Sequence, residues 1–172
     1  MPLSTIDNTG LSQSQILSAI NMPTGSVVQV VQGVSTTGNI STTSSSFVSS
    51  SFTTTITPQF STSKILILFT GGYYTWASAP NVGNISMRAS INGGAYSSIT
   101  GNTNDIQMNT SAGGTNTVGN QWSWSYLYSP ATTNSVAITP YFNSTATGNT
   151  QFYINYNGTS GTSLQTTLLE IR

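Results

Sequence analysis

The sequence predicts an all-β protein, an antiparallel β-sandwich or jelly roll of about eight to ten strands. Three observations lead to this prediction. Short stretches rich in Val, Ile, Thr, Phe, Tyr and Trp recur along the 172-residue chain, and several alternate apolar with polar residues. Clusters of Gly, Asn, Ser and Pro separate these stretches at short intervals. From residue 26 onward, no stretch repeats its apolar residues with a helical period.

The most hydrophobic of the predicted strands is 64–76, which opens with the run KILIL. An apolar run without alternation predicts a strand that is buried on both faces. Gly71 and Gly72 follow the run and predict a β-bulge before the aromatic residues, and Asn92-Gly93-Gly94 predicts a hairpin turn. The other predicted strands are 26–32, 46–57, 84–91, 95–99, 120–128, 135–142, 151–157 and 164–172.

Residues 1–25 differ from the rest and predict an N-terminal arm, so that the β domain spans 26–172. A capping sequence at 7–9 predicts a short helix over 11–20. A helix of that length is marginal alone and needs a surface on which to pack. The arm is therefore either a flexible extension or an anchoring peptide that docks on a neighbouring subunit. Its candidate anchoring residues are Leu11, Ile16, Leu17 and Ile20.

Charged residues make up only 3% of the chain and the net charge is zero, whereas typical soluble domains are roughly 25% charged. Binding to nucleic acid or to an anionic membrane needs clustered Lys and Arg, so we expect neither partner. A neutral surface also gives little repulsion between copies, which favours a subunit that assembles. The charged residues are Asp7, Lys64, Arg88, Asp105, Glu170 and Arg172.

The chain contains no His and no Cys, which excludes a Ser–His–Asp triad and thiolate metal sites. A glycosidase pair would require Asp105 and Glu170 to meet from distant parts of the sequence. The loop 102–105 offers calcium a single carboxylate, and an Asn-rich turn is the simpler interpretation. We therefore expect a non-enzymatic protein without catalytic residues, metal or cofactor. For Glu170 we expect an ion pair with Lys64 or Arg88, or an exposed position on its strand.

Two groups of aromatic residues are the candidate binding residues. In one group the aromatic residues alternate with serines along a predicted strand, so their side chains should line one face. Exposed aromatic rows can stack against sugar rings, whereas buried rows fill a core or a subunit interface. Both interpretations stay open. The residues are Tyr73, Tyr74, Trp76, Trp122, Trp124 and Tyr126.

Three features of the sequence resemble the trimeric jelly rolls of the complement C1q and tumour-necrosis-factor type. They are the aromatic segment Tyr73-Tyr74-Thr75-Trp76, the hairpin Ile91-Asn92-Gly93-Gly94 and the apolar final strand at 167–171. The resemblance implies a homotrimer in which the last strand lies in the core near the threefold axis.

A second resemblance is carried by MPTGSVVQVVQ at 22–32, ITP at 56–58 and SKILI at 63–67. These segments are similar to short fibre, tail-fibre-tip and head-decoration proteins of tailed phages, especially marine ones. This implies a virion structural protein that is assembled in the host cytoplasm and exposed on the particle surface. The arm would attach it to other virion proteins of the capsid or tail. The alternative is a lectin-like adhesion module at a tail-fibre tip that binds a host-surface glycan.

Overall fold

A computed structural model describes residues 22–35, 38–77, 81–110, 116–145, 151–155 and 163–172. The predicted arm helix, with Leu11, Ile16, Leu17 and Ile20, lies outside the described residues. None of the described residues is helical, and so no helix in these ranges is available to cross a membrane.

The described residues form twelve strands in two antiparallel sheets, which confirms the predicted all-β sandwich. Four of the strands are only two or three residues long, too short to produce a periodic pattern in the sequence. The strands are β1 (Val27–Val34), β2 (Ile40–Thr42), β3 (Val48–Ser49), β4 (Thr54–Ile56), β5 (Lys64–Ala77), β6 (Asn81–Ile91), β7 (Ser97–Ser98), β8 (Ile106–Thr110), β9 (Asn116–Tyr128), β10 (Val136–Ser144), β11 (Gln151–Asn155) and β12 (Gln165–Ile171).

The first sheet, sheet A, is built on β5. Strand β9 pairs with one edge of β5 without a break, from Ile65 opposite Tyr128 to Ala77 opposite Asn116. The other edge of β5 is shared, because β12 pairs with its first half and β11 with its second half. Strand β1 then pairs with β12, and β2 with β11. The last strand of the chain is therefore an inner strand of the sheet.

The second sheet, sheet B, is built on the pair β6 and β10. These strands align from Val136 opposite Ile91 to Ser144 opposite Gly83. The second edge of β10 is taken by the short strands β4 and β3. The second edge of β6 is taken by β7 and β8. Each long central strand thus holds two short strands in place.

The hydrophobic core lies between the two sheets, where the inward side chains of both meet. From β5 it receives Ile65, Ile67 and Phe69, and none of these three side chains is exposed to solvent. Alternation along the strand places them on one face, as period-2 geometry requires. Sheet B contributes Ile56, Ile85, Met87, Ala89, Val136, Ile138 and Phe142.

Part of the outer face of sheet B is polar and is covered by a loop. Asn84 and Asn143 lie side by side there and are buried. The amide of Asn84 donates to Asn143 Oδ1 at 2.9 Å, and its own Oδ1 accepts from Gln107 Nε2 at 3.0 Å. Asn143 Nδ2 donates to the carbonyl of Ser45, in the loop that precedes β3, at 2.8 Å. Hydrogen bonds therefore fasten this loop over the sheet.

The predicted turn at 92–94 is confirmed. Asn92 and Gly93 have φ angles of 52° and 73°, which is the conformation of a type I′ hairpin turn. The amide of Gly94 donates to the carbonyl of Ile91 at 3.0 Å and closes the turn.

The predicted bulge at Gly71 and Gly72 is wrong, because the register between β5 and β9 runs through both glycines without a shift. Gly71 is instead a position of close approach. A Cβ atom there would lie 2.6 Å from Leu164 Cδ2 and 3.0 Å from Trp122 Cζ2. The absence of a side chain lets these two residues pack over the strand.

We predict that Gly71→Ala lowers the free energy of unfolding by about 1–3 kcal/mol, because the added methyl group overpacks this contact. Gly119→Ala is the matched control on the paired strand. There the nearest atoms to a new Cβ lie at 3.4 and 3.5 Å, so we expect a change below about 0.5 kcal/mol. Urea unfolding of both variants measures the difference, and equal effects would contradict the close-approach assignment.

Candidate functional site

The outer face of sheet A carries a continuous set of apolar side chains. Val30 lies opposite Leu169, Leu169 opposite Leu66, and Leu66 opposite Leu127, so one apolar row crosses four strands. Strands lie about 4.8 Å apart, which makes the row about 14 Å long. We call the surface the apolar face; its residues are Val30, Val34, Leu66, Leu68, Leu127 and Leu169.

Four of the six side chains of the apolar face are exposed in the single chain, and Leu66 and Leu169 are half-buried. Val30 is 57% exposed, Leu127 45% and Leu68 40%. The prediction that the KILIL strand is buried on both faces therefore holds for its inner face only. Contiguous exposed apolar patches larger than a few hundred Å² commonly mark interaction surfaces.

Charge is scarce on and around the apolar face. Lys64 is exposed at one end of it, opposite Ile171. At the other end lies a groove of about 490 Å³, whose lining includes Thr70, Ser123 and Gln165. An apolar centre with a polar, mostly uncharged margin is the usual anatomy of a protein–protein interface.

The aromatic row of β9 lies on the opposite, core-facing side of sheet A. The register puts Trp122, Trp124 and Tyr126 on the same face as Ile67 and Phe69, in agreement with their spacing in the sequence. The row therefore runs along the margin of the core.

The three residues of this row differ in how they pack. The ring of Trp122 packs 4.7 Å from that of Phe69, centroid to centroid. Trp124 and Tyr126 stack on each other, with centroids 5.7 Å and planes 16° apart. Tyr126 is 37% exposed. Trp122 and Trp124 are therefore half-buried against the core, and Tyr126 is the exposed residue of the row.

The second aromatic group is divided between the two faces of β5. Tyr73 is half-buried and packs against the core. Tyr74 points to the outer face and makes an edge contact with Tyr153 of β11, with ring centroids 5.8 Å apart. The side chain of Trp76 lies outside the described residues. Adjacent residues of a strand point in opposite directions, so Tyr73 and Tyr74 do not share one surface.

Glu170 has an environment that the sequence did not predict. The expected ion pair or exposed position is wrong, because Glu170 is fully buried. Its Oε2 accepts a hydrogen bond from Gln29 Nε2 at 2.6 Å. Its Oε1 accepts from the backbone amides of Gln59 and Phe60 at 2.8 and 3.2 Å. A buried carboxylate needs such donors, and here they tie the loop before β5 to the last strand.

Asp105 plays a similar part in sheet B. Its Oδ2 accepts from the amide of Met87 and its Oδ1 from the hydroxyl of Thr100, both at 2.6 Å. These bonds hold the loop after β7 against β6. Within the described ranges, no group of three or more His, Cys, Asp or Glu is arranged to hold a metal ion.

Comparison with known proteins gives no family for this chain. No protein-family model matches it, and no curated protein is similar to it.

We predict that Glu170→Ala lowers the free energy of unfolding by about 3 kcal/mol, since it removes the acceptor of the partly buried Gln59 and Phe60 amides, whereas Gln29 Nε2 keeps the carbonyl of Thr57. Glu170→Gln should lower the free energy of unfolding by about 1–3 kcal/mol, because the amide nitrogen of Gln cannot accept a hydrogen bond from these donors. Lys64→Gln is the control and should change the stability by less than about 0.5 kcal/mol. Thermal unfolding provides the measurement. A Glu170→Ala protein as stable as the control would contradict a stabilising role for the Glu170 hydrogen bonds.

Proposed function

We propose that the chain is a non-enzymatic structural subunit that forms a homotrimer through the apolar face of sheet A, and that the trimer is a knob or fibre appendage of a virion. The exposed apolar face is the observation that carries this proposal. It spans the width of a sheet whose other face is already filled by the core. Association removes these leucine and valine side chains from water, which is the main driving force for forming such interfaces.

Self-association suits this face better than contact with a charged partner. Two copies that meet here bring together no carboxylate of a described side chain, because Glu170 of the same sheet is buried on the inner side and Asp105 lies beside sheet B. The inner position of β12 in sheet A also supports a trimer. In the C1q and tumour-necrosis-factor type that the sequence resembles, the last strand lies near the threefold axis. Here β12 supplies Leu169 to the centre of the apolar row.

The assignment to a virion rests on the resemblance of the segments at 22–32, 56–58 and 63–67 to phage structural proteins. Residues 1–25 would then anchor the knob to the capsid or the tail. The near absence of charge is compatible with this role, because an interface made of apolar contacts is insensitive to ionic strength.

We predict that Leu127→Lys dissociates the trimer without unfolding the subunit. An ammonium group in an apolar interface has no partner there and is costly to desolvate. Light scattering should give three times the 18.1 kDa chain mass for the unchanged protein and one chain mass for the variant.

Thr103→Lys is the matched control for this variant, since it adds the same charge at an exposed loop position of sheet B. It should remain trimeric. A monomeric unchanged protein, or a Leu127→Lys protein that assembles as the control does, would contradict the interface.

A second candidate function, a lectin-like adhesion module, is favoured by the stacked pair of Trp124 and Tyr126. The pair lies on β9, the outermost long strand of sheet A, and Tyr126 is the more exposed of the two rings. Aromatic rings in this position can stack against the apolar face of a neutral sugar.

If this second function holds, Tyr126→Ala should weaken binding to the best ligand from a neutral glycan array by about tenfold. Ser125→Ala, on the opposite face of the same strand, is the control and should bind as the unchanged protein does. Failure to bind any neutral glycan, or equal binding by both variants, would count against the lectin function.

A further inference from the structure

The outer face of sheet B contains a cluster of one arginine and three aromatic residues. Arg88 projects from β6, and its guanidinium carbon lies 4.4 Å from the ring centroid of Tyr141 on β10. The ring of Phe47, in the loop before β3, lies 5.2 Å from the same carbon. Tyr96, after the hairpin turn, packs 5.5 Å from Tyr141. All four side chains are half-buried, and we call them the Arg88 cluster.

The rings of the Arg88 cluster stabilise the positive charge through their quadrupoles but accept none of its N–H groups in ordinary hydrogen bonds. A guanidinium has five such donors. No hydrogen bond or ion pair joins Arg88 to another residue of the described ranges. Asp105 bonds to the amide of Met87, next to Arg88, but its two oxygens are engaged by that amide and by Thr100.

Packing alone does not account for an arginine at this position. A methionine or leucine would fill the space beside Phe47 and Tyr141 without the cost of partly desolvating a charge. The chain holds only three Lys and Arg residues, so a half-buried cation without an acidic partner is a specific feature of this surface. Its free donors are suited to an anion that the protein itself does not provide.

We propose that the Arg88 cluster is a binding site for the carboxylate of an acidic saccharide, such as a sialic or uronic acid. The planar fork of a guanidinium matches a carboxylate with two parallel hydrogen bonds. The neighbouring tyrosine rings offer apolar surface to the sugar ring. The site is on the sheet opposite the apolar face, so it stays accessible whether or not the chain assembles, and its test is independent of the trimer.

The test is a calorimetric or NMR titration of the full-length protein with methyl glycosides of N-acetylneuraminic acid and galacturonic acid. The methyl ester of the galacturonic acid glycoside, which has the same ring but no charge, is the matched ligand. At least one of the two acidic glycosides should bind. If the galacturonic acid glycoside binds, its methyl ester should bind at least about tenfold more weakly. Arg88→Gln should weaken binding by about tenfold or more, whereas Lys64→Gln, which removes a cation from sheet A, should change it less than about twofold.

Arg88→Lys keeps the charge but loses the planar fork, and we expect it to bind about fivefold more weakly. If Arg88→Gln does not fold, the comparison of the acid with its ester on the unchanged protein still tests whether the carboxylate is recognised. The proposal is overturned if neither acid binds at concentrations up to about 20 mM, if galacturonic acid binds and its ester binds equally well, or if Arg88→Gln folds and binds like the unchanged protein. Inorganic sulfate that binds as tightly as the acidic sugars would also overturn it, by revealing a general anion site.

Discussion

Strand β5 pairs with three other strands, and the rest of the structure depends on this pairing. It aligns β9 along one edge and both β12 and β11 along the other. Since successive residues of a strand point to opposite faces, a run without polar alternation presents apolar groups on both sides. Ile65 and Ile67 enter the core, whereas Leu66 and Leu68 face outward. The single chain covers only the first set, and the proposed trimer would remove the second set from water.

The few charged groups act mainly inside the fold. Glu170 and Asp105 both accept hydrogen bonds from backbone amides, and each thereby fixes a loop against a strand. Arg172 similarly donates to the carbonyl of Met22 at 2.9 Å and so holds the start of the described chain against its end. Little charge remains on the surface to keep copies apart, which is consistent with a subunit that associates. Lys64 and Arg88 are different: Lys64 is exposed, and Arg88 is flanked by aromatic rings and has no acidic partner within the described residues.

Local features of the sequence predicted a large part of this fold. Period-2 alternation predicted that the aromatic residues of β9 share one face, and the Asn-Gly pair predicted the hairpin turn at Asn92. Features that depend on residues distant in the sequence were missed. The role of Gly71 depends on Leu164, the burial of Glu170 depends on the loop at Gln59, and the Arg88 cluster is formed by separate loops and strands. The apolar face did have a signal in KILIL, but its row could be traced only once the register with β1 and β9 was known.

The central claim is that the outer face of sheet A is covered in the assembled protein, and thiol labelling tests it most directly. The chain has no cysteine, so Leu68→Cys reports on this face alone, and Thr55→Cys, exposed on sheet B, serves as the reference. We predict that Leu68→Cys in the native protein reacts at least about tenfold more slowly than Thr55→Cys with a maleimide reagent, and that the two react equally in denaturant. Equal rates in the native protein would contradict the account.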